Sequence, residues 1–309
     1  MSAAVTVCNS ETTRRRFPCV TRVLSYTFAG VAIGFLALML VLFLAQSIPV
    51  WKHEGPGYLF GKQWFFRQAR FGALPMIYGT AAVSLVAVLI AGPIGIGAAV
   101  FTAEFLPMRL RLAVKVLVEL LAGVPSVMYG LLGILFLRDW IYNLLAPFDP
   151  LSGDTLLTAG ILLAVMILPT VMTLSEDALR GVPHMQRQAA RSLGLTPSEV
   201  VLNVSLPQAA SGIFAATLLG LGRALGETIA IFLVVGRQDN QWPSNIFSLR
   251  PLMESGQTLT SKLGGSETNI AYGDPLHWAA IMGLGLILLA MVATVTLAGA
   301  RLAQRRADA

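Results

Sequence analysis

The chain is 309 residues long, 55% hydrophobic and only 12% charged, a balance too apolar for a soluble globular domain of this length. Lipid is therefore the expected solvent for most of it. The net charge of +6 fits basic loops at a membrane face, since no dense Lys/Arg surface with interleaved aromatics points to nucleic acid.

A membrane-crossing helix needs about 20 mostly apolar residues. Six stretches qualify: 24–46, 73–101, 112–137, 155–174, 209–236 and 276–302. Period-two alternation is absent, which argues against a β-barrel and predicts an all-α membrane protein of six transmembrane helices. The organisation expected is an N-terminal tail (1–23), one six-helix domain (24–302) and a short C-terminal tail (303–309). Cys8 and Cys19 lie in the N-terminal tail and suggest no disulfide framework and no metal site.

The first apolar run is too long for a cleaved signal segment, whose core is about 7–15 residues. Arg14, Arg15, Arg16 and Arg22 precede it and should hold the N-terminus in the cytoplasm. Six spans then return the C-terminus to the same side. Segments expected inside carry thirteen Lys/Arg and those outside carry eight, a bias in the same sense. Trp51, Trp64, Trp140, Trp242 and Trp278 all fall in or beside the outer loops, as an interfacial belt would require. The long polar segment 237–275 reads as an outer loop with short interfacial helices.

Three constellations stand out. In the third stretch, Glu119 leads into Gly123, Pro125, Ser126, Tyr129 and Gly130. Glycines and a proline interrupting an apolar span can break a helix beside a cavity, where Ser126 and Tyr129 would offer polar contacts; a kinked packing helix reads equally well. Lys115 and Glu119, four apart, are placed to pair.

Between the fourth and fifth stretches, within a loop drawn at 175–207, runs QAARSLGLTPSEVVLNVSLP from Gln188 to Pro207. A short amphipathic helix through Ala189 and Ala190 can pack closely in a cleft of another protein. Gly194 suits the left-handed residue beyond its end. Thr196 and Pro197 can cap and start a second short helix, and Pro207 suits the start of the next span. This stretch resembles the cytoplasmic EAA loop of ATP-binding-cassette importers, Gln188, Ala189, Ala190, Gly194, Val204, Leu206 and Pro207 standing at its consensus positions. Gln188 replaces the consensus acid, so a salt bridge there would become a neutral hydrogen bond.

In the fifth stretch, Arg223 and Glu227 stand four apart at mid-span. Charges at such depth are costly and usually face a bundle interior or an aqueous path. On one helix face they can pair, either as an anion contact tempered by its own carboxylate or as a self-neutralised lock between helices. Gly222 and Gly226 would let another helix approach. A phosphate-binding Gly-x4-Gly-Lys-Ser/Thr loop is missing, and His53, His184 and His277 lack metal-site spacing, so an enzyme is a poor fit.

Phe71-Gly-Ala-Leu-Pro75, Ile77-Tyr-Gly-Thr80, Gly92-Pro-Ile-Gly-Ile-Gly97, Ala122-Gly-Val-Pro-Ser126, the coupling loop and Arg223-Ala-Leu-Gly-Glu227 occur in this order. Together they resemble the PstC-type permease subunits of bacterial phosphate importers, within the binding-protein-dependent transport inner-membrane family, over residues 24–302. The resemblance implies a type I, MetI-like permease fold in the inner membrane, with both termini cytoplasmic. It also implies half of a heterodimeric pore shared with a PstA-like subunit, two PstB-like ATPases carrying ATP and Mg²⁺, and a PstS-like extracytoplasmic phosphate-binding protein. No cofactor is expected on this chain. The same resemblance assigns Arg223 and Glu227 to translocation, and Gln188, Ala189, Gly194 and Pro207 to coupling. A permease for sulfate or molybdate, a PstA-type subunit, and a non-transporting regulatory membrane protein are the alternatives.

Overall fold

A computed structural model describes residues 16–243 and 249–307, with side chains between Val23 and Arg301. Cys8, Arg14 and Arg15 lie outside the described residues, as do the side chains of Arg16, Cys19 and Arg22.

The elements follow in chain order. Helix α1 (Arg16–Glu54) leads to a short α2 (Gly57–Phe60) and a two-stranded antiparallel hairpin, β1 (Trp64–Phe65) and β2 (Arg70–Phe71), with Trp64 opposite Phe71. Next come α3 (Leu74–Val100), α4 (Met108–Ala122), α5 (Ser126–Leu132), α6 (Arg138–Leu145) and α7 (Leu156–Arg180). Then follow α8 (His184–Ser192), α9 (Pro197–Val200), α10 (Leu206–Gly226) and α11 (Ile229–Val234). The chain closes with α12 (Leu259–Leu263), α13 (Glu267–Ala271) and α14 (Pro275–Ala307). Wider π-helical turns at Phe101–Phe105, Gly133–Leu137 and Val201–Ser205 extend α3, join α5 to α6, and join α9 to α10.

Among the described residues six helical stretches are long and apolar enough to cross a membrane. Helix α7 is central and α1 peripheral: the apolar window of α7 is 67% buried, that of α1 is 0% buried. Small residues let α7 and its neighbours close up. A Cβ on Gly160 would meet Val86 Cγ1 at 2.6 Å, one on Gly220 would meet Val171 Cγ2 at 2.7 Å, and one on Gly212 would meet Ala178 Cβ at 2.5 Å.

Two predicted spans are redrawn. The third, expected at 112–137, breaks at Gly123-Val124-Pro125, and the stretch able to cross is Ser126–Phe148. Pro125 has no N–H to continue the helix, so its backbone turns extended there. The fifth, expected at 209–236, starts earlier and ends sooner, at Pro197–Gly226. The second short helix of the loop therefore runs straight into the span, and Pro207 sits in a continuing helix, just past the π-turn.

The segment 237–275 does carry short helices, and it folds over the ends of α3 and α14. A second core forms there around Tyr58, Trp64, Phe71, Met76, Leu259 and Ile281. Trp64 is 3% exposed, so it is a packing residue and not part of an interfacial belt. Lys262 is buried in this lid. Its Nζ donates to Asp239 Oδ2 at 2.7 Å and pairs with Glu267 Oε2. Glu267 Oε1 accepts from Trp64 Nε1 at 2.6 Å and faces His277 Nε2 at 2.9 Å. Burial pushes the Asp239 carboxyl above its ordinary range, against the pull of Lys262. Burial pushes Glu267 the same way, but the bonds from Lys262, Trp64 and His277 together hold it below.

Candidate functional site

Helix α8 stands at the end of the bundle where α3 and α7 finish. Its C-terminus is a Schellman motif: Leu195 N–H donates to the Ala190 carbonyl at 3.3 Å and Gly194 N–H to the Arg191 carbonyl at 3.0 Å. Gly194 takes φ +88°, the left-handed conformation expected of it. Thr196 then caps α9 in a capping box with Glu199, each side chain bonding the other's backbone N–H.

The two alanines of α8 do not share a face. Ala190 is 7% exposed and packs into this chain, whereas Gln188 and Ala189 are exposed. Residues 185, 189 and 193 follow one another at four-residue steps on the outer face, and Met185 and Leu193 are 80% and 82% exposed there. An outward Met-Ala-Leu stripe on a short polar helix is a ready docking ridge. Met185 and Leu193 are not among the residues expected from the sequence, although their four-residue spacing from Ala189 is the signal that marks them. Leu206 is half-buried and Pro207 exposed at the base of α10.

The inner face of α8 is tied to the bundle. Arg187 Nη1 lies 2.8 Å from Glu104 Oε1, and Nη2 donates to the Leu179 carbonyl at 2.5 Å. Arg111 holds the same end of the second span, donating to the Thr102, Ala103 and Leu106 carbonyls at 2.7, 2.6 and 3.3 Å. Lys115 does not pair with Glu119. It reaches Asp177 at 3.0 Å and ties α4 to α7, leaving Glu119 exposed on α4.

Arg223 and Glu227 do not pair either. Helix α10 ends at Gly226, and the backbone at Glu227 turns extended with ψ 126°, which removes the four-residue register. Arg223 is exposed and donates from Nη1 to Thr170 Oγ1 of α7 at 3.0 Å. Glu227 Oε1 instead accepts from the Ala230 N–H at 3.3 Å, at the start of α11. Among the described residues no helix of this chain approaches Gly222 or Gly226, for a Cβ at either would meet nothing within 4 Å.

The two broken spans meet beyond their breaks. Helices α5 and α11 pack so closely at Gly130 that a Cβ there would lie 2.5 Å from Leu233 Cδ1 and 3.2 Å from Ala230 Cα. Tyr129 bridges its own break, its hydroxyl donating to the Leu121 carbonyl at 2.8 Å. Arg223 lies three residues before the second break, where α10 ends at Gly226. Ser126 is half-buried and its hydroxyl makes no hydrogen bond among the described residues. A cation oriented by one neutral hydroxyl, with further N–H donors to spare, suits passing contact with an oxyanion. An apolar groove of about 870 Å³ runs beside the break, between Phe43, Gly226, Leu263, Ile281 and Leu288; no charged side chain lines it, so it is no anion site.

Residues 91–308 match the family described as binding-protein-dependent transport system inner membrane component. The chain is 33% identical over 318 residues to the phosphate transport system permease protein PstC of Mesorhizobium japonicum, covering 97% of this chain and 94% of that one. It is 37% identical over 247 residues to PstC 1 of Mycobacterium tuberculosis, covering 75% and 72%. Among solved structures it resembles a chain of a bacterial alginate ABC transporter, with TM-score 0.62 at 14% identity over 95% of this chain and 98% of that one. It also resembles a chain of the MetNI methionine ABC transporter, with TM-score 0.57 at 18% identity over 74% and 93%. Both likenesses concern the fold.

Proposed function

We propose a function from one premise: the chain belongs to the binding-protein-dependent transport system inner membrane component family. It is a multi-pass inner-membrane protein and the permease subunit of a phosphate ABC importer. The observation that carries this is the 33% identity with a phosphate permease over 97% of this chain, and it is supported by the short helix α8, whose Met185 and Leu193 are exposed.

This chain forms half of the pore with a PstA-like subunit. Two PstB-like ATPases, holding ATP and Mg²⁺, receive α8, and a PstS-like protein delivers phosphate from the opposite side. Helix α8 and both termini lie in the cytoplasm. Closure of the ATPase dimer moves α8, the spans rock, and access changes from one side to the other. Gln188, Ala189 and the Met185–Leu193 ridge meet the ATPase. Arg223, steadied by Thr170, contacts phosphate in passing; Ser126 and Tyr129 lie beside that path. Glu227 shapes the break that exposes Arg223 and does not neutralise it.

The test is reconstitution of the chain with its three partner types in liposomes. ATP-dependent uptake of labelled phosphate, uncompeted by excess sulfate, is the expected result. Equal competition by sulfate would move the assignment to a broader oxyanion permease, and failure to co-purify with an ATPase would end it.

A further inference from the structure

Arg187 belongs to the coupling helix but turns away from its docking face. Gln188 and Ala189 beside it are exposed, whereas the Arg187 side chain is 15% exposed and Glu104, its partner, is 7% exposed. One guanidinium therefore holds two helices at once: Glu104, in the π-turn closing the α3 span, and the Leu179 carbonyl in the last turn of α7. A planar fork of donors can do this from one position, where a lysine ammonium offers only a point charge. The contact at Glu104 is an ion pair, and the backbone that carries Glu104 is held in place, since Arg111 ties down the carbonyls of Thr102, Ala103 and Leu106 around it. The other charged or titratable side chains of α8, His184 and Arg191, are both exposed.

We propose that Arg187 is the positioning residue that carries motion of the coupling helix into the two central spans, through the Glu104 carboxylate and the Leu179 carbonyl. The inference rests on the coupling reading of α8 given above. Helix α7 then completes the path. Thr170 lies nine residues from Leu179 on the same helix, about 13 Å along its axis at 1.5 Å per residue. Thr170 is the residue that holds Arg223. The helix gripped at one end by the coupling arginine thus touches the anion-path arginine further along. Gln188, which lacks the consensus charge, need not bear the load, because the grip on this chain is made by its neighbour.

The experiment uses the full chain assembled with its permease partner, ATPase and binding protein in liposomes, and reads phosphate imported per ATP hydrolysed. Glu104→Gln keeps size and leaves the docking helix untouched, so it is the deciding variant; Arg187→Ala and Arg187→Lys accompany it. Both Glu104→Gln and Arg187→Ala are expected to lower the transport-to-hydrolysis ratio by about tenfold while the ATPase still co-purifies, with a smaller loss for Arg187→Lys. An unchanged ratio in Glu104→Gln overturns the proposal. So does release of the ATPase from Glu104→Gln, since the pair would then serve assembly only. If the unsubstituted chain imports nothing, it is the transport assignment that fails, and the two outcomes are thereby separated.

Discussion

Arg223 on α10 is oriented by Thr170 on α7, the guanidinium Nη1 donating to the threonine hydroxyl at 3.0 Å. A neutral partner fixes the direction of the cation without cancelling its charge, which an adjacent carboxylate would do. Replacing Arg223 with Gln should abolish phosphate uptake while leaving co-purification with the partner subunits intact. Thr170→Val should raise the KM for phosphate transport by about tenfold, because the arginine loses its aim but not its charge, and Thr170→Ser should restore it. Equal kinetics for the valine and serine variants would remove Thr170 from the path.

Glu227 has a different task from the one its spacing suggests. Its carboxylate accepts the Ala230 N–H and so satisfies one of the free donors in the first turn of α11, from the residue before the N-cap Thr228. Glu227→Gln keeps a side-chain oxygen in that place and should transport phosphate within about twofold of the native chain. Glu227→Ala removes that hydrogen bond, at a cost of about 1 kcal/mol, and should lower the melting temperature measured in detergent. A glutamine variant as inactive as Arg223→Gln would instead give the charge itself a part in translocation.

Apolar runs made the six crossings legible because lipid demands an uninterrupted apolar length. The expected 73–101 and 276–302 stand close to the spans found at Leu74–Phe105 and Pro275–Arg301, whereas the first and fourth run on past their expected ends to Glu54 and Arg180. The breaks were harder. Pro125 and its glycines announced an irregularity, yet propensity could not say that α4 would separate as a helix with none of its residues buried. At Gly226-Glu227 the apolar residues resume at once, so hydropathy ran straight across the point where the helix ends. The Arg223–Glu227 pair was accordingly inferred from a helix that is not there. Thr170 and the Arg187–Glu104 pair were invisible for another reason: their partners are 53 and 83 residues away in sequence, and only packing of α3, α7, α8 and α10 joins them.

The buried ion cluster of the outer lid predicts opposite pH responses from its two carboxylates. Glu267 is held below its ordinary range, so its stabilising contribution is full above that range and is lost as pH falls through it toward the depressed value. Asp239 is raised, so its contribution is present below the ordinary aspartate range and is lost as pH rises through the raised value. Glu267→Gln should therefore flatten the loss of thermal stability on acidification, and Asp239→Asn should lower the melting temperature less than Glu267→Gln does. Lys262→Met leaves both carboxylates without their buried cation and should lower the melting temperature at neutral pH, by less than the loss of a fully buried partner would because Asp239 is 35% exposed.

Two glycines of α3 separate packing from helix propensity. A Cβ on Gly79 would lie 2.1 Å from the Gln257 carbonyl oxygen and 3.1 Å from its carbon, so the lid backbone would have to lift. Gln257 stands next to Thr258, which caps α12, and Leu259 N–H donates to Thr80 Oγ1 at 2.9 Å, so any lift at Gln257 pulls on the bond that seats the lid on α3. Gly79→Ala should consequently lower the melting temperature and open the Lys262 cluster to solvent, seen as faster hydrogen exchange across α12. Gly92 has nothing within 4 Å of its would-be Cβ, and Gly92→Ala should be neutral or stabilising by up to about 1 kcal/mol, the ordinary gain of alanine over glycine inside a helix. Were Gly79→Ala as benign as Gly92→Ala, the close seating of the lid on α3 would be wrong. The cluster, whose Lys262 side chain is 2% exposed under that seating, would have to be reassigned to a more open surface.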